Sequence, residues 1–199
     1  QYVVKFLILN DKVKYNLKGR AMVRATAYVA AGLVVVVAGI LIYAATRPDS
    51  FRVQRSISIK APPEKVFALI NDLRDWSKWS PYEKKDPGMK RTFSGASSGK
   101  GAVYEWDGDK NVGKGRMEII ETASPSRVVI KLDFIKPFEG HNTAEFTLEP
   151  KGDSTTVTWG MYGASPLMMK VMGIFMNMDR MIGDDFAAGL ANLKAVAEK

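Results

Sequence analysis

The sequence predicts an α+β domain, a curved antiparallel sheet wrapped around a long C-terminal helix, carried behind a single transmembrane helix. Three observations predict it. The run Ala25 to Thr46 holds no charged residue, the stretch from Phe51 to Met161 is dominated by segments of alternating polarity, and apolar residues from Met168 to Ala197 recur at three- and four-residue spacing. The reading divides the chain into a basic N-terminal extension (1–24), the transmembrane helix (25–46), a linker (47–50) and one domain (51–199).

A bilayer core about 30 Å thick takes roughly 20 apolar residues at 1.5 Å of rise each, and Ala25 to Thr46 meets that length. Its flanks differ in charge. Lys5, Lys12, Lys14, Lys18, Arg20 and Arg24 precede it against Asp11, while Arg47, Arg52 and Arg55 follow against Asp49, so the excess predicts an N-terminus inside and a domain outside. A cleaved signal peptide ends at small residues in an A-x-A-like site; Tyr43-Ala44-Ala45-Thr46 matches that only loosely, and an uncleaved anchor is preferred. Met22-Val23-Arg24 reads as a conventional short basic start, and residues 1–21 then read as an upstream extension with no function assigned.

Net charge is +8, but residues 1–47 hold seven Lys or Arg and one Asp, leaving the remainder close to neutral. No basic stretch with interleaved aromatics occurs on the domain, so a nucleic-acid partner is not predicted. The chain has no cysteine, which excludes disulfides, thiolate metal ligands and cysteine nucleophiles. At roughly 150 residues the domain is large enough to bury a core of its own.

Within the domain, Phe51 to Ile59 alternates as a strand. Ala61-Pro62-Pro63-Glu64 opens a short helix with prolines where a first turn accepts them, and Val66, Phe67, Leu69, Ile70 and Leu73 form its apolar side. The helical pattern ends after Tyr82. Strands follow at 91–94, 101–107, 115–121, 127–135, 143–149 and 155–161, with turn signals at Asp107-Gly108, Ser124-Pro125-Ser126 and Lys151-Gly152-Asp153. In 127–135, Val128, Ile130, Leu132 and Phe134 share one face, which puts Asp133 on the other. Ser165-Pro166 reads as cap and first-turn proline of one helix running to about Ala197, striped by Met168, Met172, Phe175, Met178, Ile182, Phe186, Leu190 and Leu193. That order of elements is the order of a helix-grip fold.

Three segments, Ile59-Lys60-Ala61-Pro62-Pro63-Glu64-Lys65-Val66-Phe67, Trp76-Ser77-Lys78-Trp79-Ser80-Pro81-Tyr82 and Gly101-Ala102-Val103-Tyr104-Glu105-Trp106, resemble the opening of the SRPBCC superfamily, in its polyketide cyclase/dehydrase-like bacterial branch. The resemblance continues through Gly113 to Ile119, Asp133 to Glu139 and Ala144 to Pro150. Members are similar in fold to START lipid-transfer domains and the birch pollen allergen. The resemblance implies a cavity between sheet and C-terminal helix for an apolar small molecule or lipid; it does not imply an activity. By position, its wall would be Trp76, Trp79, Tyr82, Tyr104, Trp106, Met117, Ile130, Leu132, Phe134, Phe146, Trp159, Met168, Met172 and Phe175. Six of the ten methionines lie between Met168 and Met181, and a methionine wall can reshape around ligands of different outline; plain core filling explains the same stripe.

No catalytic residue, cofactor or metal is predicted. His141, the one histidine, reads as a surface residue, because the sequence shows no partner to orient it. Gly95 to Gly101 falls short of a phosphate loop: three residues, not four, separate its glycines, and it ends in Gly where Ser or Thr is needed. Asp107, Asp109, Asn111 and Glu118 match calcium-loop positions, but Val112 replaces the required glycine. The favoured function is a membrane-anchored binder of a hydrophobic small molecule or lipid; the alternative is a cyclase or dehydratase using the same cavity.

Overall fold

A computed structural model describes the backbone from Tyr2 to Lys199 and the side chains from Met22 onward. The reading of residues 1–21 as an extension, with the basic side chains it contains, lies outside the described side chains. The chain separates into two units. One comprises the residues up to Arg47 with Leu167–Val171, and the other comprises Pro48–Pro166 with Met172–Lys199.

The first unit is built on α1 (Tyr2–Ala45), which begins well before the predicted apolar run. Met22–Ala45 is the part long and apolar enough to cross a membrane, with a mean hydropathy of 2.4, a property that signal sequences share. Pro48 cannot continue a helix, and α1 closes just before it, with the Thr46 amide donating to Tyr43 O at 3.2 Å.

In the second unit seven strands form one sheet in the order β1-β7-β6-β5-β4-β3-β2, every neighbour antiparallel. The strands are β1 (Ser50–Ile59), β2 (Lys90–Gly95), β3 (Ala102–Asp107), β4 (Lys114–Ala123), β5 (Arg127–Lys136), β6 (Gly140–Lys151) and β7 (Ser154–Ala164). Register puts Val53, Met161, Ala144, Ile130 and Ile119 in one cross-sheet row, all buried, so the predicted alternation defines an inner face. Asp133 lies on the outer face, opposite Arg116 and His141, as its parity predicts.

Between β1 and β2 come α2 (Pro63–Asn71), a 3₁₀ turn (Asp75–Lys78) and α3 (Pro81–Lys85), so helical structure continues beyond the predicted stop. Proline opens both helices without donating a hydrogen bond that a first turn does not need. The predicted single C-terminal helix is two: α4 (Leu167–Phe175) and α5 (Met178–Ala197). Met176 is extended, and the Asn177 side chain caps α5 by accepting from the Arg180 amide at 2.9 Å, so a local cap outcompetes continuation. The Ser165 hydroxyl does not cap α4, which starts after Pro166. Phe186, Leu190, Leu193 and Ala197 of α5 are buried, whereas α4 buries no residue. The grip is made by α5 alone.

Candidate functional site

The inner face has two regions. Toward the ends of α2 and α5 it is filled by rings. Trp76 and Trp79 lie 4.8 Å apart, Phe146 stacks on Trp159 at 5.0 Å, and Phe186 of α5 stacks on the same Trp159 at 4.2 Å. Indole nitrogens of Trp76 and Trp79 donate to Ile70 O and Leu69 O of α2 at 2.9 and 3.0 Å, and the Asn192 amide donates to Trp79 O at 3.0 Å. These rings leave nothing exposed: Trp79 and Phe146 are fully buried, as is Ile130 beside them. Such edge and stacked pairs stabilise a core by about 0.5–1.5 kcal/mol each beyond the area they bury.

Toward the end of the sheet where β1 begins, the same face is only half covered. Trp106, Leu132 and Phe134 are half-buried, Phe93 is 36% exposed, and Tyr104 and Met117 close the floor. Phe93 stacks on Tyr104 at 4.9 Å, and Trp106 meets Phe134 edge-on at 6.0 Å. Asn142, half-buried between Leu132 on β5 and Gly163 on β7, is an inward-facing carboxamide in this otherwise apolar row. The absence of a side chain at Gly163 makes that position possible, because a Cβ there would collide with Asn142 Oδ1. Phe51 and Gly163 continue into an open hollow lined also by Asp49, Ser50, Arg52, Tyr162 and Ala164, where the Arg52 guanidinium lies 5.3 Å over the Tyr162 ring.

The predicted wall residues therefore divide. Trp76, Trp79, Ile130, Phe146 and Trp159 are packed among rings and strands; Tyr104, Trp106, Met117, Leu132 and Phe134 come together on the half-covered region. Tyr82 on α3 packs beside Asp185 and Lys85 of the α3–α5 contact, Met172 is half-buried, and Met168 and Phe175 are 68% and 71% exposed.

A polar group at the margin of this region is not visible in the sequence. Glu83 of α3 presents a carboxylate only 9% exposed, which accepts from Tyr104 Oη at 2.6 Å and from Arg91 Nε at 2.7 Å. Arg91 Nη1 also donates to Met89 O at 2.7 Å. Burial first, then the hydrogen bond and charge of Glu83, push the Tyr104 phenol well above its ordinary value, with Arg91 opposing. The available signal was parity, since Arg91 shares the inward face with Phe93 on β2.

His141 has the partner that the sequence did not reveal. Asp133 Oδ1 lies 2.7 Å from its Nδ1, on the outer face, with the His141 side chain 67% exposed. Among the described residues no group of three or more His, Cys, Asp or Glu is placed to hold a metal ion. Asp109 accepts from the amide and side chain of Asn111 and thereby closes its own turn, while Asp107 pairs with Lys114 at 2.7 Å.

A family model described as polyketide cyclase/dehydrase and lipid transport matches residues 50–198. The chain belongs to that family. A Thermobifida fusca protein shares the fold of this polyketide cyclase/dehydrase and lipid transport domain at 23% identity, covering 72% of this chain and 90% of its own, with a TM-score of 0.55. Ginseng major latex-like protein 151 from Panax ginseng does so at 13% identity, covering 75% and 99%, with a TM-score of 0.53. The di-domain ARO/CYC protein BexL of the BE-7585A biosynthetic pathway does so at 13% identity, covering 80% of this chain and 53% of its own, with a TM-score of 0.55. These likenesses bear on the fold of the family domain alone. The comparison with curated proteins finds no match.

Proposed function

We propose that this family member is a membrane-anchored domain that binds a hydrophobic small molecule or lipid on the half-covered inner face. One observation carries the reading: Phe93, Trp106, Leu132 and Phe134 are apolar, inward-facing and incompletely covered, while the other end of the same face is filled by rings. Apolar surface removed from water there stabilises a complex by about 25 cal/mol per Å². Asn142 supplies a directional polar contact among apolar ones, the usual division of labour in a ligand site. Met22–Ala45 serves as the anchor, with the N-terminus cytoplasmic and the domain extracytoplasmic, supported by the basic excess preceding the apolar run.

Native mass spectrometry of the full chain from its own host, released from detergent, tests the reading against a Leu132→Trp variant whose ring fills the proposed space. The expected result is an apolar adduct on the wild type that is lost from the variant. The same adduct on both, or on neither, overturns it.

A second reading, a cyclase or dehydratase using the same face, is favoured by the hydrogen bond at its margin in which the Tyr104 phenol donates to the buried Glu83 carboxylate. Incubation with a linear poly-β-carbonyl thioester separates the two. A cyclised product that forms with the wild type and not with Tyr104→Phe favours the enzyme; no product favours the binder.

A further inference from the structure

All strand ends on one side of the sheet gather near the start of β1. The register Phe51↔Gly163↔Asn142 places the β5–β6 turn at that end, and Lys90↔Asp107↔Lys114↔Lys136 places the first residue of β2 and the β3–β4 turn there too. The direction of α5 adds a third segment. Asp179 is held by Arg55, the Lys194 ammonium donates to Ser58 O at 2.8 Å, and Glu198 accepts from the Lys60 amide at 2.6 Å, so α5 runs along β1 in the same direction. Phe175 and Met176, just before α5, therefore lie toward the same end.

This end carries large apolar side chains in water. Phe138 in the β5–β6 turn is 67% exposed, Phe175 is 71% exposed, and Ile135 and Met176 are 49% and 43% exposed. Exposed Lys90, Lys110 and Lys136 belong to the same end of the sheet, as do exposed Asp107, Asp109 and Glu139. Large apolar side chains among exposed charges, with lysine stems able to reach headgroups, suit the interfacial layer of a bilayer.

The covalent chain names the occupant. Only Thr46–Asp49 separate the end of α1 from the start of β1, and four residues span at most about 14 Å. An apolar surface on such a tether meets bilayer at high effective concentration before it meets anything free in solution.

We propose that this end of the domain docks on the bilayer next to its own anchor, with Phe138 and Phe175 inserted at headgroup level. The half-covered ligand face then opens at the membrane surface, so an apolar ligand exchanges with lipid without crossing water. The docking rests on the anchor reading and not on a ligand being bound.

The absence of cysteine allows a direct test in the full chain. Single-cysteine variants Phe138→Cys, Phe175→Cys, Val36→Cys and Asp153→Cys carry an environment-sensitive fluorophore in vesicles of phosphatidylcholine with one part in four phosphatidylglycerol. Asp153 lies in the β6–β7 turn at the opposite end of the sheet. The expected pattern with headgroup-proximal doxyl lipid is quenching at 138 and 175 several-fold above that at 153, with 36 quenched by deep doxyl lipid. Quenching at 36 with 138 and 175 no more quenched than 153 overturns the docking and leaves the anchor standing, the pattern expected if a protein covers this surface. An unquenched label at 36 overturns the anchor, and the docking with it.

Discussion

Arg55 and Asp179 meet in a two-pronged contact, Nη1 to Oδ1 at 3.2 Å and Nη2 to Oδ2 at 3.1 Å, with Nη2 also donating to the Asp179 carbonyl at 3.0 Å. Arg55 sits on the inner face of β1, and its guanidinium passes beneath α5 at Gly183, where a Cβ would strike it. Gly183→Ala is expected to push the Arg55 guanidinium off Asp179 at a net cost of about 1 kcal/mol, the clash falling on a movable side-chain end and alanine returning helix propensity. Arg55→Ala in the same chain should recover part of that loss. Denaturant melts of the two single variants and the double variant check it; strictly additive losses would show that Gly183 and Arg55 do not share this space.

The ring cluster yields a graded prediction. Trp79→Ala is expected to cost roughly 3–5 kcal/mol, because a fully buried indole leaves a hole that α2 and α5 cannot close. Trp76→Phe should cost about 1–3 kcal/mol more than Trp159→Phe. Trp76 Nε1 has a partner in Ile70 O, whereas buried Trp159 Nε1 makes no hydrogen bond, so only the first change leaves a carbonyl unsatisfied. Equal losses for the two Phe variants in thermal melts would contradict this.

His141 titrates above an ordinary histidine, raised by its hydrogen bond to Asp133. Burial works to raise Asp133, but hydrogen bonds from His141 and Lys131 outweigh it and hold the carboxylate low. For His141, a raised folded value gives stability that is complete below about pH 6.5 and fades as pH rises through the folded value. For Asp133, a lowered folded value gives stability present above about pH 3.9 and lost as pH falls through the folded value. NMR titration of the chain's one imidazole should show a raised midpoint that Asp133→Asn returns toward about 6.5. An unchanged midpoint would remove Asp133 as the cause.

Tyr104 and Tyr82 should resist alkaline ionisation. Burial is the leading cause at both, with Glu83 adding to it at Tyr104 and Asp185 at Tyr82. Their raised folded values give stability complete below about pH 10 and eroding above it. Phenolate absorbance at alkaline pH should therefore lack the contributions of Tyr104 and Tyr82 until the domain unfolds. Tyr104→Phe is expected to cost about 1–2 kcal/mol by removing a donor from the buried Glu83 carboxylate. A Tyr104→Phe chain that withholds as many tyrosines as the wild type would contradict the assignment.

The sequence by itself determined that an apolar run long enough to cross a membrane precedes the domain, the succession of strands along the chain and the inward side of most of them. The alternation of Val128, Ile130, Leu132 and Phe134 against Lys131 and Asp133 is a local property with period two, and register must honour it once one face is buried. Family membership was legible for the same reason, being carried by contiguous segments. Parity could not say what covers each inward residue. Trp159 and Trp106 both face inward, yet Phe186 stacks on the first and buries it, while the second stays half-buried. Only the tertiary structure decided that difference, because it depends on where α5 crosses the sheet and on the break at Met176–Asn177 that keeps α4 out of the grip. The same holds for Glu83, Arg91 and Tyr104, and for His141 and Asp133. These partners lie on different elements, and their hydrogen bonds exist only after the chain has brought those elements together.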